Sequence, residues 1–242
     1  MRLDKFLAHS GIGTRSEVKT ILKKGQVSVN GAVIKDAGFD VNEASDKVVC
    51  RGEEIGYRKH ICYALNKPAG YVCSKSEEDG ESVYKLLPEE FRNRIQAVGR
   101  LDKDTTGLLI FTDNGDWAHK VLSPNHHVAK TYEVTCEKEI TDEDIAKLEA
   151  GISIGDGETA APARVERVGT ESFAGTDRID SGKRILLTID EGKYHQVKRM
   201  MRSTANKVIG LKRISFGNIS LDDLNISEGT GIILNESDVL NQ

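Results

Sequence analysis

No stretch of this 242-residue chain is apolar for long enough to span a bilayer; runs such as Leu108 to Phe111 are far too short. Where a signal peptide would place an apolar stretch, the N-terminus carries Arg2, Asp4 and Lys5, so a cytoplasmic protein without membrane association is expected. Cysteine is scarce, with only Cys50, Cys62, Cys73 and Cys136. None are spaced as CxxC, and no histidine stands at a zinc-ligand interval from two of them. Neither a zinc site nor a disulfide framework is expected, and reduced, mostly buried thiols are. Internal repeats and low-complexity tracts are missing. So is a net positive charge: 34 Lys and Arg against 38 Asp and Glu leave −4. A uniformly basic nucleic-acid binder is therefore excluded.

The charge is unevenly spread. Arg2, Lys5, Arg15, Lys19, Lys23, Lys24 and Lys35 face only Asp4 and Glu17 before residue 36. From Lys183 to Arg213 the many cations face only Asp190 and Glu191, while acids gather between Glu137 and Asp180. Two basic ends around an acidic middle suggest a localised footprint for a polyanion.

Two domains are expected, at 1–58 and 59–242. In the first, Leu3, Phe6 and Leu7 share a face of a helix over Arg2 to His9, which Gly11 and Gly13 break. Thr14 and Glu17 form a capping box for a second helix. Val18, Ile21 and Leu22 make its apolar stripe, and Arg15, Lys19 and Lys23 a basic stripe on another face. Gln26 to Gly31 alternates like a strand and closes on Asn-Gly, a hairpin signal; Lys47 to Cys50 alternates again. Residues 57–60 read as a linker. Beyond it, strands are expected at 61–66, 107–112, 131–136, 164–168, 184–190 and 208–214, and helices at 116–122, 141–150 and 194–204. Strands and helices do not alternate strictly, so the fold class is α+β with a mostly antiparallel central sheet.

Several segments carry possible chemistry. Gly99-Arg100-Leu101-Asp102-Lys103-Asp104-Thr105-Thr106-Gly107 is a polar loop feeding an apolar strand. Asp102 and Asp104 lack the further oxygen ligands a hard metal gathers, so no metal site is expected. Asp102 as a lone reactive carboxylate beside Arg100 remains open, as does Asp104 bracing the loop through Thr105 and Thr106. Asn66-Lys67-Pro68 reads as a turn. His126 and His127 are adjacent on an extended segment and point opposite ways, which disfavours a shared ion. Tyr132 opens a strand, where its ring either packs in the core or faces a base. Val197, Met200 and Met201 make a buried stripe, with His195, Lys198 and Arg202 on the opposite face.

In order along the chain, Asn66-Lys67-Pro68, Gly99-Arg100-Leu101-Asp102 with Thr105-Thr106-Gly107-Leu108, Lys130-Thr131-Tyr132 and Gly192 to Met200 closely resemble the RsuA family of ribosomal RNA pseudouridine synthases. The first fifty residues or so resemble the S-four-type RNA-binding domain. The resemblance implies a pseudouridine synthase fold and isomerisation of uridine in place, which oxidises nothing and needs no cofactor. It implies Asp102 as the catalytic aspartate, Arg100 as a contact to the flipped-out nucleotide, and Tyr132 stacking on the uracil. Lys198 matches the cation paired with the carboxylate, an Arg in many such enzymes, and Leu211 the apolar residue packed beside that pair. The segment from Ser123 to Tyr132 is more similar to small-subunit (16S) members than to large-subunit (23S) ones. The expected partner is 16S ribosomal RNA or an assembling small subunit, met by a monomer. RNA contacts are expected from Arg2, Lys5, Arg15, Lys19, Lys23, Lys24, His195, Arg199 and Arg202. A 23S-directed enzyme, or a non-catalytic ribosome-assembly factor on the same fold, are the alternatives.

Overall fold

Hydrophobic alternation and capping, the local signals in the sequence, set most of the elements. The computed structural model describes residues 1–10, 12–43, 45–55, 60–123, 126–168 and 181–240. The expected break at Gly11, linker residues 57–59 with the boundary at 58/59, and Pro124-Asn125 lie outside the described residues. The chain divides into two units, residues 1–61 with 88–95, and residues 62–87 with 96–242.

In the first unit, helices α1 (Leu3–His9) and α2 (Arg15–Lys23) precede strands β1 (Val27–Val29), β2 (Ala32–Val33), β3 (Val48–Cys50) and β4 (Glu53–Ile55). A short helix α3 (Glu89–Arg92) belongs to the segment 88–95. The capping box forms as expected: Glu17 N–H donates to Thr14 Oγ1 at 3.3 Å, and Thr14 N–H to Glu17 Oε2 at 2.7 Å. Asn30 and Gly31 take φ of 50° and 83°, the two positive values that a two-residue hairpin turn requires. The strands pair antiparallel in the order β2-β1-β3-β4. Leu3, Phe6, Leu7, Val18, Ile21 and Leu22 pack with Val27, Val29, Val48 and Cys50 into one core. That leaves Arg15, Lys19 and Lys23 exposed on the far face of α2.

In the second unit, the strands are β5 (Cys62–Lys67), β6 (Tyr71–Val72), β7 (Glu81–Ser82), β8 (Gln96–Val98), β9 (Thr106–Thr112), β10 (Lys130–Cys136), β11 (Ile152–Gly155), β12 (Glu158–Ala160), β13 (Arg164–Arg167), β14 (Arg184–Ile189), β15 (Val208–Phe216), β16 (Ile219–Ser220) and β17 (Gly231–Leu234). The helices are α4 (Gly115–Leu122), α5 (Asp142–Ala150), α6 (Gln196–Ser203), α7 (Leu221–Leu224) and α8 (Glu236–Val239). The main sheet runs β13-β14-β10-β15-β9-β5-β17, with β8 beside β9 and β16 beside β15. Leu108 to Phe111 form an unbroken apolar run because β9 is buried on both faces. Leu108 and Ile110 pack with Trp117 and Val121 of α4, and the Phe111 ring meets Tyr84 edge-on at 5.5 Å. Cys50, Cys62 and Cys136 are buried free thiols, and Cys73 is half-buried. Among the described residues, no helix is long and apolar enough to cross a membrane.

The sheet is two antiparallel halves, β13-β14-β10-β15 and β9-β5-β17, joined by a parallel contact of β15 with β9. That contact pairs Lys212 with Thr106 and Arg213 with Gly107. Beyond it, β9 takes β8 as its neighbour, pairing Val98 with Ile110. At the fork the Arg213 side chain fills in for the ladder, its Nε donating to the Leu108 carbonyl at 2.7 Å. Gly107 sits at φ 101°, and a Cβ there would lie 2.2 Å from the Arg213 carbonyl oxygen. Gly107→Ala is therefore expected to lower the unfolding free energy by about 2 kcal/mol or more, from backbone strain plus overpacking. Urea denaturation checks it, and a loss under about 0.5 kcal/mol would refute the close approach.

Candidate active site

The loop from Gly99 to Thr105 leaves β8 and feeds β9, so the hairpin alone would leave its carbonyls hanging. A lysine supplies what they lack. Lys67, at the end of β5, is fully buried. Its Nζ donates to the carbonyls of Thr105 at 2.8 Å, Asp102 and Pro68 at 3.1 Å, and Lys103 at 3.4 Å. A buried ammonium is tolerable only when its donors are taken up in this way. Burial holds it below the ordinary lysine range, against the pull of Cys73, Asp104 and Asp102. Gly70 N–H donates to the Lys103 carbonyl at 2.7 Å, and Leu101 N–H to Cys73 Sγ at 3.4 Å. The segment read from sequence as a turn is thus the anchor of the loop. A lysine closing a mostly apolar strand, within the family motif Asn66-Lys67-Pro68, was its signal.

The Asp102 carboxylate is held from one turn of α6. Lys198 Nζ lies 2.8 Å from Oδ2, and His195 Nε2 lies 3.3 Å from Oδ1. Lys198 also reaches Asp104 Oδ1 at 2.6 Å. Burial pulls the Lys198 ammonium down, but hydrogen bonds and charge from the two aspartates outweigh it and leave it above its ordinary range. The hydrogen bond from Lys198 holds the Asp104 carboxyl below the usual carboxylate range. The two acids, weighed from sequence as a metal pair, share this ammonium. Asp104 braces the loop through it, and not through Thr105 and Thr106.

The start of α6 is set by a side-chain network. Gln196 Nε2 donates to Glu191 Oε1 at 2.7 Å, and Lys193 N–H to Gln196 Oε1 at 2.8 Å. This geometry puts His195 at φ 48° as the cap residue, so the helix opens at Gln196 and not at Tyr194 as the pattern predicts. The left-handed residue turns its imidazole to Asp102, a placement helical spacing could not foresee. Arg199, expected to contact RNA, is committed inward. Its guanidinium donates to Glu158 Oε2 at 2.6 Å and to the carbonyls of Ile154, Gly155 and Tyr194. It ties α6 to the β11–β12 hairpin and has little left for a phosphate. Arg202 is exposed on α6.

Facing the loop is a cleft of about 630 Å³. Asp102, Arg100, Tyr132, His195, Lys198 and Leu211 all line it. Tyr132 is buried in β10, directly across from Arg213, where a bulge between Thr131 and Tyr132 shifts the register. Core packing and a ring edging a site, alternatives in the sequence, coincide. Arg100 is exposed, and Leu211 half-buried. Deeper, Lys130 Nζ and the Arg213 guanidinium flank the Phe216 ring at 5.6 and 5.2 Å. Burial, reinforced by the Arg213 charge, pushes the Lys130 ammonium down to about 8. In the sequence Lys130 stands only as part of a family motif and Arg213 only as one of a cluster of cations, with no role for either. His126 and His127 are exposed and do not line the cleft. In the first unit, Lys5, Arg15, Lys19, Lys23 and Lys24 are exposed, while Arg2 forks onto the Asp4 carboxylate at 3.0 and 3.1 Å.

Comparison with known proteins bears on this arrangement. Residues 61–203 match the RNA pseudouridylate synthase family, and residues 1–48 match the S4 domain. Over 224 residues the chain is 44% identical to an uncharacterized RNA pseudouridine synthase, YtzG, of Bacillus subtilis (strain 168), covering 92% of this chain and 90% of the relative. It is 40% identical over 224 residues to ribosomal small subunit pseudouridine synthase A of Vibrio cholerae serotype O1, covering 92% and 91%. A crystal structure of pseudouridylate synthase superposes with a TM-score of 0.64 at 34% identity, covering 99% of this chain and 98% of that one.

The anchoring role of Lys67 has a direct check. Lys67→Met fills the same space but leaves the loop carbonyls unpaired, so stability should fall by about 1–3 kcal/mol. Amide exchange in 101–105 should quicken well beyond that in β9. Unchanged exchange in this loop would show that its other ties suffice.

Proposed function

The chain belongs to the RNA pseudouridylate synthase family, and on that premise we propose that it converts a specific uridine of small-subunit (16S) ribosomal RNA to pseudouridine, acting as a monomer. Residues 1–58 serve as the RNA-binding domain and 59–242 as the catalytic domain. In the reaction the N1–C1′ bond breaks, the uracil turns, and C5 bonds to C1′. The C5 proton is released and N1 takes one up, so atoms and electrons balance within the substrate.

The observation that carries the reading is the Asp102 carboxylate, paired with Lys198 at 2.8 Å in the same cleft that Tyr132 lines. Lys198, kept charged by the two aspartates, sets an ammonium against that carboxylate. Asp102 is then the group on which the chemistry turns. A uridine inside folded RNA must be extruded to reach it, at a cost of a few kcal/mol that stacking on Tyr132 offsets. Arg100, exposed at the cleft, contacts the displaced nucleotide in this reading. The name of the Vibrio cholerae relative supports the small subunit as target.

Asp102→Asn should lower turnover by roughly three orders of magnitude or more, with RNA affinity within a few-fold of wild type. Pseudouridine mapping of 16S and 23S transcripts after incubation reads both activity and target. Substantial turnover by the Asn variant refutes the role of the carboxylate, and modification of 23S alone refutes the small-subunit reading. For the first unit, changing Arg15, Lys19 and Lys23 together to Gln should weaken RNA binding. It should also flatten the log–log salt dependence by about 2 units, as three lost phosphate contacts imply. An identical salt slope would mark the stripe as ordinary solvated surface.

A further inference from the structure

One aromatic side chain in the second unit is out of place by the ordinary rules of burial. Tyr194 is 70% exposed, yet it lines the cleft. Its ring is not loose: it lies against the His195 imidazole, centroids 3.8 Å apart and planes 22° from parallel. Behind it, the Tyr194 carbonyl accepts from Arg199 Nη1 at 3.2 Å, and Lys193 N–H is fixed by Gln196 Oε1. His195 is held left-handed at φ 48°, a conformation that costs a non-glycine residue free energy. That strained turn sends one ring of the pair to Asp102 and leaves the other open to solvent. The backbone is thus pinned to present a flat, exposed π-face one ring away from the carboxylate. Single-stranded nucleic acid is gripped by such faces, because every base can stack on them. An exposed cation, Arg100 on the loop, lines the same cleft.

We propose that the Tyr194–His195 stack is a seat for a nucleobase neighbouring the target uridine, so that RNA is held on both sides of the extruded residue. The inference rests on the RNA-modifying reading above. Tyr132 and Tyr194 then divide the work. The buried ring meets the target base, and the exposed ring meets a flanking one. Since the seat is chemically indifferent to base identity, it contributes grip and register and does not select the site.

The test uses the full-length protein with 16S and 23S transcripts. Tyr194→Leu, Tyr194→Phe and Tyr194→Trp are compared for equilibrium binding, KM and kcat. The exposed position makes folding insensitive to the change. Leu should weaken binding and raise KM by about tenfold with kcat within about twofold, while Phe and Trp restore the wild-type values. Ultraviolet cross-linking should attach RNA to the peptide containing Tyr194. Unchanged affinity in the Leu variant, or equal losses in Leu and Phe, overturns the stacking seat. If neither transcript is modified by wild type, the functional reading fails. The binding comparison and the cross-link still decide the seat by themselves.

Discussion

The organisation of the second unit depends on one close contact, the parallel approach of β15 to β9 at Gly107 and Arg213. On one side of it lies the half-sheet that carries the loop with Asp102. On the other lies the half that carries Tyr132 on β10, with α6 leading into β15. Neither half contains a complete site. The junction brings them together, and the absence of a side chain at Gly107 is what lets the backbones meet. Where the strands part again, Arg213 bridges the gap to Leu108, so the fork stays hydrogen-bonded without closing. A fully zipped sheet would have no cleft there.

What the sequence discloses and what it hides divide along a physical line. The capping box at Thr14, the Asn-Gly hairpin, the doubly buried run of β9 and the stripe of Val197, Met200 and Met201 are all local patterns. Each follows from spacing along a few residues. Asp102, Tyr132, Lys198 and Leu211, which the family motifs name, line one cleft. Long-range satisfaction of charge is another matter. Lys67 reads as part of a turn because three of its four acceptors are backbone carbonyls 35 to 38 residues away. Arg199 reads as an outward cation because the hairpin that consumes it lies some forty residues earlier. His195 reads as helical because helical spacing does not register the short network of Glu191, Lys193 and Gln196 at the helix start. The parallel junction is likewise invisible to period-two alternation, which cannot tell the direction of a neighbouring strand.

Electrostatically the unit is built from buried cations with unequal duties. Lys67 and Lys130 are held largely by carbonyl oxygens, which satisfy donors without cancelling charge. Lys198 meets true carboxylates. The first arrangement lowers the tendency to hold a proton and the second raises it, and both directions are seen. Of these, Lys130 and Lys198 line the cleft, and they differ in how firmly they stay charged. The firmer is the one beside Asp102.

The tie between Lys67 and its loop bears on how such a chain can change over time. The acceptors are main-chain carbonyls of Pro68, Asp102, Lys103 and Thr105, and every amino acid carries one. Side chains along the loop are therefore free to vary without touching its anchor, whereas the lysine has no substitute of equal reach and charge. The anchor thus constrains the buried lysine more tightly than the loop side chains that face the cleft. A loop built in this way can acquire new target preferences while its carboxylate stays where it is.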